Sequence, residues 1–170
     1  MTVPGGAGPA PLARQVVARL AARQQQIAVA ESLTGGLLAA ALASVPGASV
    51  VFRGGIVAYA TDLKASLLGV DQALLDRCGA VSAETARAMA EGVRARLGAT
   101  FGLATTGVAG PDPAEGKPVG TVYVAAAGGD TARRAQVRRL GLAGSRNDIR
   151  GQTVTQALAL LLVMMREETR

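Results

Sequence analysis

The first third of the chain alternates between helical and strand-like spacing of its apolar residues. Five apolar residues would share one face of a helix that runs to about residue 25: Leu12, Val16, Val17, Leu20 and Ala21. The apolar run 27–30 predicts a strand, and a small-residue helix to about Ser44 follows a polar turn. Residues 50–60 are again strand-like, but Gly54 and Gly55 interrupt them, which indicates a bulge, a bend or two short strands.

The middle of the chain predicts two short helices and a longer one. Short helices are expected over 61–68 and 71–77. Ser82 is typical of an N-cap, because its hydroxyl can accept a hydrogen bond from an amide in the first helical turn. It would begin a helix that runs to about Leu97.

The last third predicts strands followed by one long helix. Three strands are expected, over 100–106, 120–127 and 133–140. The sequence Gly128-Gly-Asp130 is typical of a hairpin turn between the last two. Ser145 and Asp148 have capping-box spacing, which would open a final helix to about Glu168.

This order of elements predicts an α/β protein. Early alternation of helices and strands with a late hairpin favours a three-layer α/β/α fold, a single domain around a mixed, mostly parallel sheet. Residues 1–10 contain three Gly and two Pro and are expected to be a flexible tail, with the domain over 11–170.

The amino-acid composition excludes several kinds of catalytic and metal-binding site. The chain has no His and one Cys, so neither a Ser-His-Asp triad nor a zinc site with His or several Cys ligands can form within it. An internal disulfide is excluded for the same reason. A hydrolase built on this chain needs Lys, Tyr, Asp, Glu or a chain terminus as its base. Only two lysines are present, Lys64 and Lys117.

Charge and hydropathy bear on partners and location. The net charge is +6, and 16 of the 18 basic residues are Arg, which allows a nucleic-acid-associated protein. Aromatic residues make up only 2%, too few for base-stacking platforms, so we expect no nucleic-acid partner. The N-terminus lacks a signal-peptide pattern and the apolar run 157–165 is too short to span a bilayer, so we expect a cytoplasmic protein without membrane contact.

Three segments carry candidate chemistry. The first, Glu31-Ser-Leu-Thr-Gly-Gly36, lies where a strand turns into a helix, so the helix dipole would stabilise negative charge near Ser32. The alternative is that Ser32 or Thr34 only caps the helix. Two glycines at a helix start are unfavourable for helix formation and favour close approach of a ligand or of another backbone.

The second segment contains Tyr59 and Lys64, and the third runs from Thr106 to Gly110. A desolvated lysine can act as the base for a serine, although a solvated surface lysine is the alternative interpretation. The small residues of the third segment would expose amides to an anion, unless they form only a tight turn. Arg146, in the first turn of the last helix, would reach a phosphate or remain a surface arginine.

Taken together, four motifs resemble the CinA C-terminal domain family, the nicotinamide-nucleotide amidohydrolases. They are Ala30-Glu-Ser-Leu-Thr-Gly-Gly36, Tyr59 with Lys64, Gly79-Ala-Val-Ser82, and Thr106-Gly-Val-Ala-Gly-Pro-Asp112 with Lys117-Pro-Val-Gly-Thr121. The resemblance implies deamidation of nicotinamide mononucleotide to nicotinate mononucleotide and ammonia, with no metal and no cofactor. The 170 residues leave no room for the family's pyrophosphatase-like domain, so we expect a stand-alone form.

The resemblance also implies roles for residues. Ser32 would be the nucleophile and Lys64 the base, with Tyr59 beside them as a possible proton relay. The expected substrate-binding residues are Thr34, Gly35, Gly36, Thr106, Gly107, Ala109, Gly110 and Arg146. The sequence departs from the family at Thr61, where Asn is common, in the loop 113–116, and beside Arg146.

Two further hypotheses stay open at this point. The chain could be a basic nucleic-acid-associated protein, or a nucleotide-binding sensor of the same fold without catalysis. The apolar segment 154–165 suits an interface as well as a core, and we expect a homo-oligomer.

Overall fold

The computed structural model describes residues 8–128 and 135–167, which form helices packed on both faces of one sheet. In chain order the elements are α1 (Pro9–Ala22), β1 (Ile27–Glu31), α2 (Leu37–Ala43), a 3-10 turn (Ala48–Val50), β2 (Phe52–Val57), α3 (Thr61–Leu68), α4 (Gln72–Cys78), α5 (Ala83–Leu97), β3 (Phe101–Gly107), β4 (Thr121–Gly128), β5 (Gln136–Gly141) and α6 (Arg146–Glu167).

The sheet has the strand order β2-β1-β3-β4-β5. Strand β1 pairs in parallel with both β2 and β3, whereas β4 is antiparallel to β3 and to β5. Every strand except β4 therefore runs in one direction, which confirms the predicted mixed, mostly parallel sheet. The carboxyl ends of β1, β2 and β3 lie at the same edge.

The two faces of the sheet carry side chains of different size. Large residues such as Ile27, Phe101 and Leu103 join the core under α1, α2 and α6. Alternate positions on the same strands are alanine or glycine and join the core under α5. Helix α5 can therefore lie very close to the sheet. A Cβ added at Gly102 would be 1.9 Å from the carbonyl oxygen of Ala90.

The element boundaries agree with the expectations except at two places. Helix α1 begins at Pro9, so Pro9 and Ala10 belong to the helix and not to the tail, because proline suits the first helical turn. Within the strand-like run 50–60 only Phe52–Val57 forms a strand, and residue 50 ends a 3-10 turn. This strand has a bulge, since Ile27 pairs with Phe52 while Ala28 pairs with Gly54. The predicted turn 128–130 and the start of the return strand fall largely outside the described residues.

Both predicted caps are present. The Ser82 hydroxyl accepts a hydrogen bond from the Thr85 amide at 3.1 Å. At α6 the Asp148 carboxylate accepts from the Ser145 amide at 2.9 Å, and the Asp148 amide donates back to the Ser145 hydroxyl at 3.3 Å. Hydrogen bonds from Ser145 lower the pKa of Asp148 below its ordinary value.

The apolar part of α6 belongs to the core. Ala157, Leu158 and Leu161 are fully buried in the cluster that also contains residues of α1 and β4. Burial in the monomer accounts for this segment, so it gives no separate support for an interface, and the homo-oligomer stays a prediction. None of the helices in the described ranges is long and apolar enough to cross a membrane.

Two helical glycines provide a matched test of the close packing. A Cβ at Gly92 of α5 would lie 2.0 Å from the Leu68 carbonyl oxygen, whereas one at Gly151 of α6 would meet nothing within 4 Å. We expect Gly92→Ala to lower the free energy of unfolding by about 1–3 kcal/mol or more. Gly151→Ala should raise it by about 0.5–1 kcal/mol. Urea unfolding of both variants checks this, and equal effects would contradict it.

Candidate active site

A cavity of about 240 Å³ opens at the carboxyl edge of the sheet. The residues that directly follow β1, β2 and β3 meet there, as expected where parallel strands end at one edge of an α/β sheet. The lining residues are Ser32, Leu33, Tyr59, Thr61, Lys64, Ala80, Val81, Thr106, Gly107, Val108, Ala109, Gly110, Asp112, Ala114 and Arg146.

Ser32 and Lys64 are in direct contact in this cavity. The Lys64 Nζ lies 3.2 Å from the Ser32 Oγ, 2.8 Å from the carbonyl oxygen of Ala58 and 3.4 Å from that of Tyr59. Helix α3 begins directly after β2 and turns Lys64 inward, so its side chain is only 1% exposed. The interpretation of Lys64 as a solvated surface residue is therefore wrong.

Three acceptors surround the Lys64 nitrogen, which donates to each of them in the structure, as the three hydrogens of an ammonium can. A neutral amine fits the same partners. Carbonyl oxygens can only accept hydrogen bonds, so the two hydrogens of a neutral amine would go to Ala58 and Tyr59. The nitrogen lone pair would then face the Ser32 hydroxyl. Burial lowers the pKa of Lys64 below its ordinary value, while the negative charges of Glu115 and Asp62 partly offset this by raising it.

The turn that carries Ser32 is held by the preceding residue. The Glu31 carboxylate is fully buried and accepts hydrogen bonds from the amides of Gly36, Leu38 and Ala39, at 2.8–3.0 Å. Glu31 therefore caps α2, and neither Ser32 nor Thr34 does. The role of Glu31 was missed by sequence reasoning, although acidic residues are favoured at helix N-termini and Glu31 lies inside the motif.

Three predicted binding residues of this turn lie outside the cavity lining. Gly35 and Gly36 have φ angles of 56° and 99°, so glycine is needed there for the backbone conformation. Thr34 is buried, and its hydroxyl is hydrogen-bonded to that of Thr105 at 2.8 Å. In the structure Thr34, Gly35 and Gly36 shape the turn, and their role in substrate binding stays a prediction.

An arginine and a tyrosine meet at the mouth of the cavity. The Arg146 guanidinium donates from Nη2 to the Tyr59 hydroxyl at 2.7 Å and from Nη1 to the carbonyl oxygen of Gly110. The Tyr59 hydroxyl is thus bonded to Arg146 and to neither Ser32 nor Lys64, and the Tyr59 side chain is 55% exposed. This arrangement favours direct proton transfer between Ser32 and Lys64 over a relay through Tyr59.

The wall opposite Ser32 comes from the segment after α4. The Thr106 hydroxyl donates to the Ala80 carbonyl oxygen at 2.7 Å. The Glu115 carboxylate accepts from the amides of Ala80 and Val81, each at 3.0 Å, and lies 3.7 Å from the Lys117 Nζ. This carboxylate fastens the loop after β3 to the cavity wall. Sequence reasoning missed this role of Glu115, because its bonds join residues 34 and 35 positions apart.

The remaining predicted residues line the cavity. Gly107 ends β3, and Ala109 and Gly110 follow it. A Cβ at Gly107 would lie 2.7 Å from the carbonyl oxygen of Thr121. No side chain therefore fits at position 107. The third segment is part of the pocket and not an isolated tight turn.

Fold and pocket together define a class, an α/β domain with a serine–lysine pair at the carboxyl edge of a mixed sheet. The sequence profile of the CinA C-terminal domain family matches residues 9–165. The chain belongs to this family.

Relatives and solved structures agree with this assignment. A CinA-like protein from Frankia casuarinae is 58% identical over 150 residues, 88% of this chain and 34% of that protein. A CinA-like protein from Gloeobacter violaceus is 50% identical over 157 residues, 92% and 37% of the two chains. This chain therefore spans about a third of the length of the curated relatives it matches.

Two crystal structures have the same fold. A competence-damaged protein (CinA) superfamily protein from Escherichia coli superposes with a TM-score of 0.90 at 32% identity, covering 96% of this chain and 94% of that one. A competence/damage inducible protein from Agrobacterium tumefaciens gives 0.87 at 34% identity, covering 98% and 99%.

The electrostatic setting of Lys64 can be tested directly. Asp62 is an exposed residue in the first turn of α3, and its charge raises the pKa of Lys64. We expect Asp62→Asn to lower that pKa further, whereas Glu91→Gln on the exposed face of α5 should leave it unchanged. NMR titration of the lysine ¹³Cε resonances measures this, since only Lys64 and Lys117 contribute. An unchanged or raised pKa in Asp62→Asn would contradict the assignment.

Proposed function

We propose that this protein is an amidase that hydrolyses the carboxamide of nicotinamide mononucleotide to nicotinate mononucleotide and ammonia. The observation that carries the proposal is the 3.2 Å contact between the Ser32 Oγ and the buried Lys64 Nζ inside the cavity. The substrate is inferred from the resemblance of the chain to the family, and the geometry supports the reaction type.

The first step is acylation of Ser32. Neutral Lys64 takes the hydroxyl proton while the Ser32 Oγ attacks the carboxamide carbon. The resulting tetrahedral intermediate collapses as Lys64 passes that proton to the departing nitrogen. The C–N bond breaks, ammonia leaves and an ester to Ser32 remains.

Two amides are placed to stabilise the oxyanion of that intermediate. The Leu33 amide follows the nucleophile directly, and within the described residues it donates to no protein acceptor. The second is the amide of Gly107. The neighbouring Val108 amide donates to the carbonyl oxygen of Thr121 in β4. Because successive amides of a strand point to opposite sides, the Gly107 amide points toward the β1 side of β3, beyond the last residue of β1. Fixed donors of this kind commonly contribute about 10²–10³ to the rate.

The second step returns the enzyme to its starting state. Lys64 removes a proton from water, the hydroxide attacks the ester carbon, and the Ser32–carbon bond breaks. Ser32 regains its proton from Lys64, and nicotinic acid mononucleotide leaves, its new carboxyl group losing a proton to solvent to give the nicotinate. The proton transfers of nucleophilic attack and of leaving-group departure all pass through one nitrogen atom.

Arg146 is the proposed partner of the substrate phosphate. Its guanidinium is exposed at the cavity mouth, and its two bonds go to uncharged acceptors, Tyr59 and Gly110. In residues 8–128 and 135–167 no carboxylate pairs with it, so its positive charge remains available to an anion. With the phosphate bound at the mouth, the pyridine ring of the substrate would enter the cavity toward Ser32.

Ammonia release from nicotinamide mononucleotide tests the activity and both catalytic roles. We expect turnover that a chelator does not reduce. Ser32→Ala should lower kcat at least about 1,000-fold, and Lys64→Met about 100- to 10,000-fold, because each removes a group that no neighbour replaces. Ser66→Ala, on the exposed face of α3, should keep the wild-type rate. Tight binding without ammonia release would select the sensor hypothesis instead, and wild-type turnover in Ser32→Ala would refute the nucleophile.

The pH dependence follows from the chemistry of Lys64. Only the neutral amine accepts the Ser32 proton, so kcat/KM should rise as the pH rises through the pKa of Lys64. Because burial lowers that pKa, the increase in kcat/KM should occur at a pH below the ordinary lysine pKa of about 10.4. Asp62→Asn lowers the pKa further, so its profile should move to lower pH. A profile that is flat, or that moves upward in this variant, would contradict Lys64 as the base.

A further inference from the structure

A second arginine of α6, Arg150, is hydrogen-bonded to the turn that carries the proposed nucleophile, Ser32. Arg150 lies one helical turn after Arg146. Its Nε donates to the carbonyl oxygen of Leu33 at 3.0 Å and its Nη2 to that of Thr34 at 2.9 Å. These acceptors lie 117 and 116 residues away in the sequence, and the donor atoms are partly buried. The planar guanidinium thus binds two successive peptide groups with two different nitrogens.

The two peptide groups of Leu33 are held by different partners. The C=O and N–H of a planar trans peptide point in opposite directions. The Ser32 carbonyl accepts from the Gly35 amide at 3.0 Å, so the Leu33 N–H points away from the turn. The Leu33 carbonyl is bound to Arg150 on the side of α6. Leu33 is therefore held at both ends, its amide points away from the turn, and the residue lines the cavity.

Two opposite charges hold the turn without entering the cavity. Glu31 binds three amides at the start of α2, and Arg150 binds two carbonyls. Neither residue belongs to the cavity lining. The turn between them presents the Ser32 hydroxyl and the Leu33 amide on its remaining side.

We propose that Arg150 is a positioning residue for acylation, which keeps Ser32 and the Leu33 amide aligned with the substrate carbonyl. The inference rests on the proposed amidase function. A misplacement of about 1 Å at such a site can cost on the order of 100-fold in rate. The guanidinium contributes by geometry, so its loss should appear in kcat and leave substrate binding at the mouth largely intact.

The kinetic experiment uses three variants of the full chain with nicotinamide mononucleotide. We expect Arg150→Ala to lower kcat about 10- to 100-fold with a KM change below about threefold. Added guanidinium ion should restore part of that loss. Arg150→Lys should remain impaired, because one ammonium cannot span both carbonyls as the guanidinium fork does. The matched control is Arg166→Ala, an exposed arginine of the same helix, which should behave as wild type.

Hydrogen exchange gives a readout that needs no turnover. Amides of residues 33–39 should exchange faster in Arg150→Ala than in wild type or Arg166→Ala, while exchange in α5 stays the same. If the wild type releases no ammonia, the proposed function fails, and the exchange result alone decides whether Arg150 holds the turn.

Three results would overturn the inference. Wild-type kcat in Arg150→Ala would remove the positioning role. An increase confined to KM would make Arg150 a substrate-binding residue. Unchanged exchange over residues 33–39 would show that the turn keeps its structure without the guanidinium.

Discussion

The burial of one amine sets the conditions for everything around the pocket. Lys64 is among the largest fully buried side chains of the described residues, and a buried amine must find hydrogen-bond acceptors inside the protein. The end of β2 supplies two carbonyl oxygens, and the turn after β1 supplies a hydroxyl. Parallel pairing of these strands brings both ends to one place. Within the described part of the chain no carboxylate bonds to the amine, so its proton affinity is lowered by burial and raised only by charges at a distance.

The parallel and the antiparallel halves of the sheet position different parts of the cavity. The parallel half brings together the strand ends from which Ser32, the Lys64 acceptors and the Gly107 region emerge. The antiparallel half fixes the course of the loop after β3, since β4 starts at the same edge. The alanine and glycine positions beneath α5 let the helices on that face approach closely. That close approach keeps α3, and therefore Lys64, over the end of β1.

Local patterns were sufficient for much of this architecture. Helical spacing, a strand broken by two glycines and two caps each depend on neighbouring residues, and the structure contains all of them. Ser32, Tyr59, Lys64 and Arg146 were singled out because their residue types suit the chemistry, and the structure brings them together in one cavity. Thr34, Gly35 and Gly36 were expected at the substrate and lie outside the cavity lining, because a glycine pair fits a ligand approach and a left-handed turn equally well. Glu31, Glu115 and Arg150 were missed, the last two because their partners lie far away along the chain.

The hydrogen bonds of Arg150, Glu31 and Glu115 share a property that affects how far the sequence can diverge. Each of these charged side chains grips main-chain atoms, and Lys64 and Thr106 also bind carbonyl oxygens. Every residue type offers a carbonyl, and every type except proline offers an amide. These bonds therefore do not depend on the side chains of the residues that are bound, whereas they do depend on the identity of the residues that bind them. A scaffold of this kind tolerates extensive divergence, which agrees with a TM-score of 0.90 at 32% identity.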